Sequence, residues 1–314
     1  MENIKKDIFS GEVVIFAPHR TSRPTDIKLS ESENISKKEY EKDCPFCKGN
    51  ENMVCKTFEL KNDSGWLSKS VLNKYPIINE NMLGINGSHE VILDTYRHNG
   101  SFYDMTKEEF KNMFLVYKNR YKHYIEKEDT LYVSIFKNFL KKAGASLSHP
   151  HSQIISMNLI PKIIENEVDV LKKYYDLNKE SLYKKYIDEE ISLDKRVVYN
   201  GRKFLVIVPY ASIYNNEIRV ICKDCLKFED LNEEYLEELS YIFERLFRNI
   251  YKVCGYEPFN LGMHNHPKNL CNDLFNFHFH IIPRKYNLGG FEISNGVYVS
   301  SSNPDDFAKS IKFI

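Results

Sequence analysis

Between residues 88 and 160 the apolar positions change their period in a regular order. Residues 90–95, Glu-Val-Ile-Leu-Asp-Thr, form a short apolar run that predicts a strand. Residues 107–128 carry apolar side chains at helical spacing, with Asp104, Met105 and Thr106 ahead of them as a helix start. Strand-like patterning returns at residues 130–138 and 149–157. The same order recurs after residue 203, with strands at 204–209 and 217–222, a helix over 232–254, and strands at 259–264 and 277–283. Glu90-Val-Ile-Leu-Asp stands 127 positions before Glu217-Ile-Arg-Val-Ile, and His149-Pro-His151 stands 129 positions before His278-Phe-His280. Two offsets this close predict an internal duplication of one α/β unit.

The remaining segments divide the chain around that repeat. Residues 11–20 read as a strand ending in a proline turn, and the polar stretch 21–41 reads as a surface loop leading to Cys44. Residues 162–200, rich in Lys, Glu and Tyr, predict a helical connector. The expected organisation is an N-terminal half over residues 1–160, a connector over 161–200 and a C-terminal half over 201–314.

Composition narrows the function more by exclusion than by indication. With 42% hydrophobic residues in 314, the chain is long enough for a sizeable core. Its formal charge of zero supplies no summed field for nucleic acid or an anionic membrane, so neither is expected as a partner. The polar start and the lack of an apolar run near 18 residues predict a cytoplasmic protein. Seven cysteines, an odd number without an export signal, argue against a disulfide framework and for metal ligation or burial.

The chemistry concentrates at Gly144-Ala-Ser-Leu-Ser-His149-Pro-His151-Ser-Gln153. Alternation along a strand projects His149, His151 and Gln153 from one face. A neutral imidazole, with its other ring nitrogen hydrogen-bonded, is a competent nucleophile toward phosphorus, and a nearby amide can hold phosphoryl oxygens without moving a proton. That pairing suits a phosphate or sugar-phosphate leaving group. Cys44-Pro-Phe-Cys47 is a C-x-x-C turn that brings two thiolates to tetrahedral spacing, half of a metal site. Candidates for the other two ligands are His98 and His149. A redox pair is the competing reading, without a thioredoxin-like unit around it. In the second half His264, His278 and His280 could converge on a metal if a carboxylate such as Glu167 reached them, or could contact an anionic substrate directly. Cys222 and Cys225 form another C-x-x-C, read as cysteines ending a strand. Arg20 and Arg23 are candidates for phosphate contacts because guanidinium matches phosphate oxygens bidentately. Asn73, Asn138 and Ser146 are polar residues at strand ends or loops where a nucleotide could lie.

With these motifs assembled, the sequence resembles the galactose-1-phosphate uridylyltransferase family, a branch of the histidine-triad superfamily. The resemblance spans nearly the whole chain. It rests on Pro18-His-Arg20-x-x-Arg23-Pro24, Cys44-Pro-x-Cys47-x-Gly-Asn-Glu51, Asn138, His149-Pro-His151-x-Gln153, Val208-Pro-Tyr210-Ala211, and Gly262-Met-His264 followed by His278-x-His280. It implies an α+β fold made of a duplicated histidine-triad-like motif, each half an antiparallel-rich sheet with packed helices. It also implies zinc on Cys44, Cys47, His98 and His149, with His151 attacking the α-phosphorus of a nucleotide sugar and Gln153 holding phosphoryl oxygens. Glu167, His264, His278 and His280 fall at a second site for iron or zinc. Arg20, Arg23, Asn73, Asn138, Ser146 and Ser148 fall in or near the nucleotide site, and a homodimer is expected. Hydrolytic relatives carry a third histidine in place of Gln153, so the glutamine implies transfer.

Two departures bear on substrate. The loop Gly144-Ala-Ser-Leu-Ser148 lacks the Cys-Ser-Asn-Pro of classical members, and Gly289 to Tyr298 does not reproduce their hexose-binding segment. Both look more like the branch of ADP-glucose phosphorylases, in which phosphate accepts the nucleotidyl group. The expected activity is nucleotidyl transfer between a nucleotide sugar and a hexose 1-phosphate. The alternatives are an ADP-glucose or dinucleotide phosphorylase using His151, and a non-catalytic nucleotide-binding protein.

Overall fold

A computed structural model describes residues 3–22, 38–270, 273–285 and 287–313. Its elements in chain order are β1 (Ile4–Lys6), β2 (Val13–Phe16), β3 (Lys56–Asn62), β4 (Gly65–Leu72), β5 (Gly87–Leu93), α1 (Lys107–Ile125), β6 (Tyr132–Phe139), β7 (His151–Met157), α2 (Lys162–Asn178) and α3 (Leu182–Leu193). There follow β8 (Val197–Asn200), β9 (Phe204–Ile207), β10 (Ile218–Cys222), α4 (Glu233–Cys254), β11 (Phe259–His264), β12 (His278–Pro283), α5 (Gly290–Asn295), β13 (Val297–Ser300) and α6 (Pro304–Ile311).

The long sheet runs β3-β4-β5-β7-β6-β11-β12-β10-β9-β8. Every neighbouring pair in it is antiparallel. Read outward from the β6–β11 pairing, each half gives the same order, so the duplication appears as a mirrored strand sequence about the centre. Phe259 pairs with Phe139 and Asn260 with Asn138 at that seam. A second, three-stranded sheet, β1-β2-β13, ties the two ends of the described chain together through the parallel pair β2–β13.

The two faces of the sheet are covered differently, and this difference positions the site. On one face α1 and α4 lie over both halves, with Phe110, Phe114, Phe243 and Phe247 packed in one apolar cluster. Thr106 and Glu109 start α1 with a reciprocal capping box, satisfying two donors that the first helical turn leaves open. On the opposite face α2 and α3 cover the C-terminal half, where Leu205 and Ile207 of β9 meet Ile164, Val168, Tyr183 and Ile187. Strand β9 is therefore buried on both sides, which explains its uninterrupted apolar run. The N-terminal half of that face instead carries a small cluster of Cys44, Phe46, Cys47, Trp66 and Leu93. Helix α1 is locked to β5 by the buried carboxylate of Glu90, which accepts from Arg120 at 2.8 and 2.9 Å and from Tyr124 and Ser70 at 2.6 Å.

Several elements differ from the sequence reading at their ends. Helix α1 stops at Ile125, and residues 126–130 turn back through short-range backbone bonds. Strand β7 begins at His151, so His149 lies just before it; Pro150 has no N–H to offer a ladder, and its carbonyl accepts from Asp94 at 3.1 Å. Residues 11–20 divide into β2 and a tight helical turn at Pro18–Ser22. The hairpin β3–β4 and strands β1 and β13 were absent from the sequence reading. Residues 161–200 form α2, α3 and then β8.

Candidate active site

Strand β7 lies between β5 and β6, with Leu93 opposite His151 and Val91 opposite Gln153. Ser152 bonds Tyr117 of α1, and Ile154 joins the α1 core, so those two side chains point to the helical face. Alternation then puts His151 and Gln153 on the other face, beside the cysteine loop. A cleft of about 390 Å³ opens there, lined by Asn138, Ala145, Ser146, Ser148, His149 and His151. Its rim turns sharply at Gly144, whose φ of +93° lies in the left-handed region that a side chain would strain. A hollow of about 470 Å³ near β1, α2 and α3, lined by Asp7, Tyr174, Lys185 and Glu189, lies apart from these groups.

His151 is buried, and its Nδ1 lies 2.8 Å from the His149 carbonyl oxygen. A carbonyl only accepts, so Nδ1 carries the proton and Nε2 holds the free lone pair. Burial, and then the positive charge of Lys137, lower the imidazole pKa, leaving it in the neutral, nucleophilic form.

Beneath the strand lies a buried pair that sequence reasoning missed. Lys137 Nζ sits 2.6 Å from Asp94 and donates to the His151 carbonyl at 2.8 Å, while Ser152 Oγ donates to the same aspartate at 2.7 Å. Both charged side chains are essentially inaccessible. The available signal was a lysine at the third-last position of a largely apolar strand that otherwise holds only the uncharged polar Ser134 and Asn138, and an aspartate just after another strand. Lys137→Met is expected to destabilise the fold by about 3–5 kcal/mol, because it strands a buried carboxylate, and chemical denaturation would measure the loss.

The structure gathers Cys44, Cys47, His98 and His149 into one group, with all four ligand atoms within 4.8 Å of one another. His98 Nδ1 is 3.4 Å from Cys47 Sγ, and His149 Nδ1 is 3.9 and 3.8 Å from the two sulfurs. Those separations match a tetrahedron with metal–sulfur bonds near ~2.3 Å and metal–nitrogen bonds near ~2.0 Å. His149 also donates from Nε2 to the Thr95 carbonyl at 3.0 Å, the outer bond that typically orients a ligating imidazole. Burial pushes the Cys44 thiol up to about 11 and the His149 imidazole down to about 3, so without a cation these two favour their neutral forms. The donor set fits a metal ion.

A second cluster occupies the matching place in the C-terminal half. His264, His278 and His280 converge, and Glu167 from α2 reaches His264 Nδ1 at 3.1 Å. His278 Nδ1 lies 3.0 Å from the Asn276 carbonyl, and His280 Nδ1 lies 3.0 Å from the Glu217 carboxylate. Both Nε2 atoms therefore present lone pairs, and they face each other at 2.9 Å. Two lone pairs at that distance repel unless both rings share a cation, and Glu167 would supply a compensating charge. Burial keeps both imidazoles well below their ordinary pKa.

The other sequence candidates are placed less uniformly. Asn138, Ser146 and Ser148 line the cleft, with the Asn138 side-chain oxygen accepting from Asn260 at 2.7 Å. Gln153 contacts His89 at 2.9 Å, and Asn73 packs on that same histidine. Arg20 is exposed on the Pro18–Ser22 turn and is not among the residues lining the cleft. Arg23 lies outside the described residues. Cys222 ends β10, whereas Cys225 lies three residues beyond it and 3.7 Å from His266.

Comparison with known proteins agrees with this geometry. The model of the family described as galactose-1-phosphate uridyl transferase, N-terminal domain, matches residues 1–161, and a domain of unknown function (DUF4921) matches residues 85–312. The chain is 26% identical to ADP-glucose phosphorylase of Arabidopsis thaliana, covering 98% of this chain and 92% of that protein. It is also 26% identical to galactose-1-phosphate uridylyltransferase of Schizosaccharomyces pombe, covering 85% and 81%. A crystal structure of the Arabidopsis thaliana ADP-glucose phosphorylase with bound ADP-glucose superposes with a TM-score of 0.86 at 25% identity, over 99% of this chain and 98% of that one. A structure of uridylyltransferase shares the fold with a TM-score of 0.75 at 21% identity. The duplicated sheet, the cleft at β7 and these matches together show that the chain belongs to the galactose-1-phosphate uridyl transferase family.

Proposed function

We propose that this protein is a nucleotidyltransferase working through a covalent nucleotidyl-His151 intermediate. The observation that carries the reading is the bond from His151 Nδ1 to the His149 carbonyl, which leaves Nε2 as the nucleophile in the cleft. In the first step Nε2 forms a bond to the α-phosphorus of a nucleotide sugar. The bond to the sugar phosphate breaks, and hexose 1-phosphate leaves with the electron pair. The proton on Nδ1 stays in place, and its bond to the carbonyl stabilises the positive ring of the adduct. In the second step an acceptor phosphate oxygen attacks the same phosphorus and His151 departs as neutral imidazole. Gln153 would hold the phosphoryl oxygens, and Asn138, Ser146 and Ser148 would line the nucleotide.

For the acceptor we favour inorganic phosphate or hexose 1-phosphate. The full-length likeness to an ADP-glucose phosphorylase supports the first, and the family match supports the second. Zinc is our assignment for the Cys44, Cys47, His98 and His149 group, since two thiolates and two imidazoles close a tetrahedral shell with no position left for water. It would brace the residues ahead of β7. For Glu167, His264, His278 and His280 we propose iron or zinc in a structural role. A homodimer is the assembly we propose.

Intact-mass measurement of the protein mixed separately with ADP-glucose and UDP-glucose tests the reading. A gain of one nucleoside monophosphate is expected with one of them and none with the His151→Ala control. Release of that adduct by phosphate or by hexose 1-phosphate then identifies the acceptor. Tight nucleotide binding without an adduct would replace this reading with a non-catalytic one.

A further inference from the structure

A glutamine beside a phosphoryl group can help only if its NH₂ end faces the oxygens, because those oxygens accept and never donate. Which end is free for such a group depends on what the other end is doing. Gln153 Oε1 lies 2.9 Å from His89 Nε2. His89 is buried on β5, opposite Ile155 and diagonal to Gln153, within reach on the same face of the sheet.

The direction of that bond is settled one step further back. The backbone N–H of Ile77 points at His89 Nδ1 at 3.0 Å. A peptide N–H can only donate, so Nδ1 must carry the lone pair, and in a neutral ring the proton then sits on Nε2. Burial lowers the pKa of this imidazole, which keeps it neutral. Asn73 does not compete for either nitrogen. Its Nδ2 lies 3.3 and 3.1 Å from Nδ1 and Nε2, and near-equal distances to both are possible only over the ring face, since Cε1 blocks the approach in the plane. Its Oδ1 is engaged by the Tyr75 N–H at 2.8 Å.

We propose that His89 is a positioning residue that fixes the Gln153 amide, through a relay from the Ile77 backbone N–H, so that its NH₂ group is presented to the phosphoryl oxygens. Reversing the amide would set its NH₂ against the Nε2–H and its oxygen against phosphoryl oxygens. Two repulsive contacts would replace two attractive ones. The relay makes the orientation a property of the fold, present before substrate arrives. It acts on the transferring group without touching it.

The inference rests on the covalent reading above, and its test separates the two. Single-turnover formation of the His151 adduct and equilibrium substrate binding are measured for wild type, His89→Phe, His89→Gln, Gln153→Leu and the double variant His89→Phe/Gln153→Leu, with thermal melts as a control on folding. His89→Phe keeps an aromatic ring but loses both nitrogens. It is expected to slow adduct formation roughly ten- to hundredfold with little change in substrate affinity. His89→Gln places an N–H near the lost Nε2–H and is expected to restore most of the rate. In the double variant the His89 change is expected to add nothing to Gln153→Leu. Nitrogen-15 spectra of wild type, with His89 assigned through His89→Gln, are expected to show a protonated Nε2 and an unprotonated Nδ1. A proton on Nδ1, factors that multiply in the double variant, or a folded His89→Gln as slow as His89→Phe would each overturn the proposal. If wild type forms no adduct with any nucleotide sugar, the covalent reading fails, while the nitrogen spectrum still decides the relay.

Discussion

His151→Ala is expected to form no covalent adduct and to lower nucleotidyl transfer on the order of 10⁴-fold or more, while melting close to wild type. The size follows from the role. Each half of the proposed double displacement uses the same Nε2, once as attacking atom and once as leaving group, so deleting it removes both steps together. The residual rate would come from whatever direct in-line attack the cleft permits by holding donor and acceptor. Stability should change little for a specific reason. The His151 backbone carbonyl, which Lys137 binds, and its strand pairing with Leu93 both survive the substitution. The side chain itself gives up one hydrogen bond, to the His149 carbonyl. Steady-state rates with saturating donor, beside intact mass, would check both parts. A variant that kept near wild-type transfer would show that the acceptor attacks the nucleotide sugar directly and would end the two-step scheme.

Much of this site was legible before any fold was known, because its chemistry is written locally. His149-Pro-His151-x-Gln153 and Cys44-Pro-Phe-Cys47 keep their partners within a few residues, and the repeat offset marked His278 and His280 as counterparts. Strand β11 was read to the residue, since Phe259 and His264 bound an apolar run in a half whose order was already known. What stayed hidden depends on contacts across the sheet. Lys137 and Asp94 come from β6 and the end of β5, with β7 between them, and neither has a local pattern that announces a buried ion pair. His89 looked like one more polar residue beside Glu90. Only the pairing of β5 with β7 brings it to Gln153, and only the Ile77 turn fixes its proton. The hairpin β3–β4 was missed for a different reason. Phe58 and Leu60 alternate with polar neighbours and Asp63-Ser-Gly65 makes a turn, yet β4 carries Ser68, Lys69 and Ser70 where its counterpart β9 is an unbroken apolar run, so the repeat left no matching pattern to find.

Stripping the metal proposed for the Cys44, Cys47, His98 and His149 group is expected to lower the melting midpoint by roughly 10 °C, with loss of adduct formation following from loss of structure. The group joins three distant parts of the chain: the cysteine loop, the segment after β5 and the residue two before the nucleophile. Without a cation the Cys44 thiol is protonated, as its upward shift to about 11 requires. The Nδ1 lone pair of His149 then stays buried with no strong donor, because its Nε2–H is already given to Thr95. The cysteine loop would separate first, since beyond the metal it is held mainly by the small cluster of Phe46, Trp66, Val71, Val91 and Leu93. That cluster also packs against the site, with the Phe46 ring 6.0 Å from both the His149 and His151 rings. Loosening it would let water reach the nucleophile and free the backbone carbonyl of His149 that fixes the His151 proton. Cys44→Ser/Cys47→Ser should therefore reproduce the chelated state, with early proteolytic cleavage inside the cysteine loop while β9 to β12 remain protected. Calorimetry with limited proteolysis would follow both events. Chelated protein that melted as the holoprotein does but could no longer form the adduct would move this metal from bracing the strand to taking part in the chemistry.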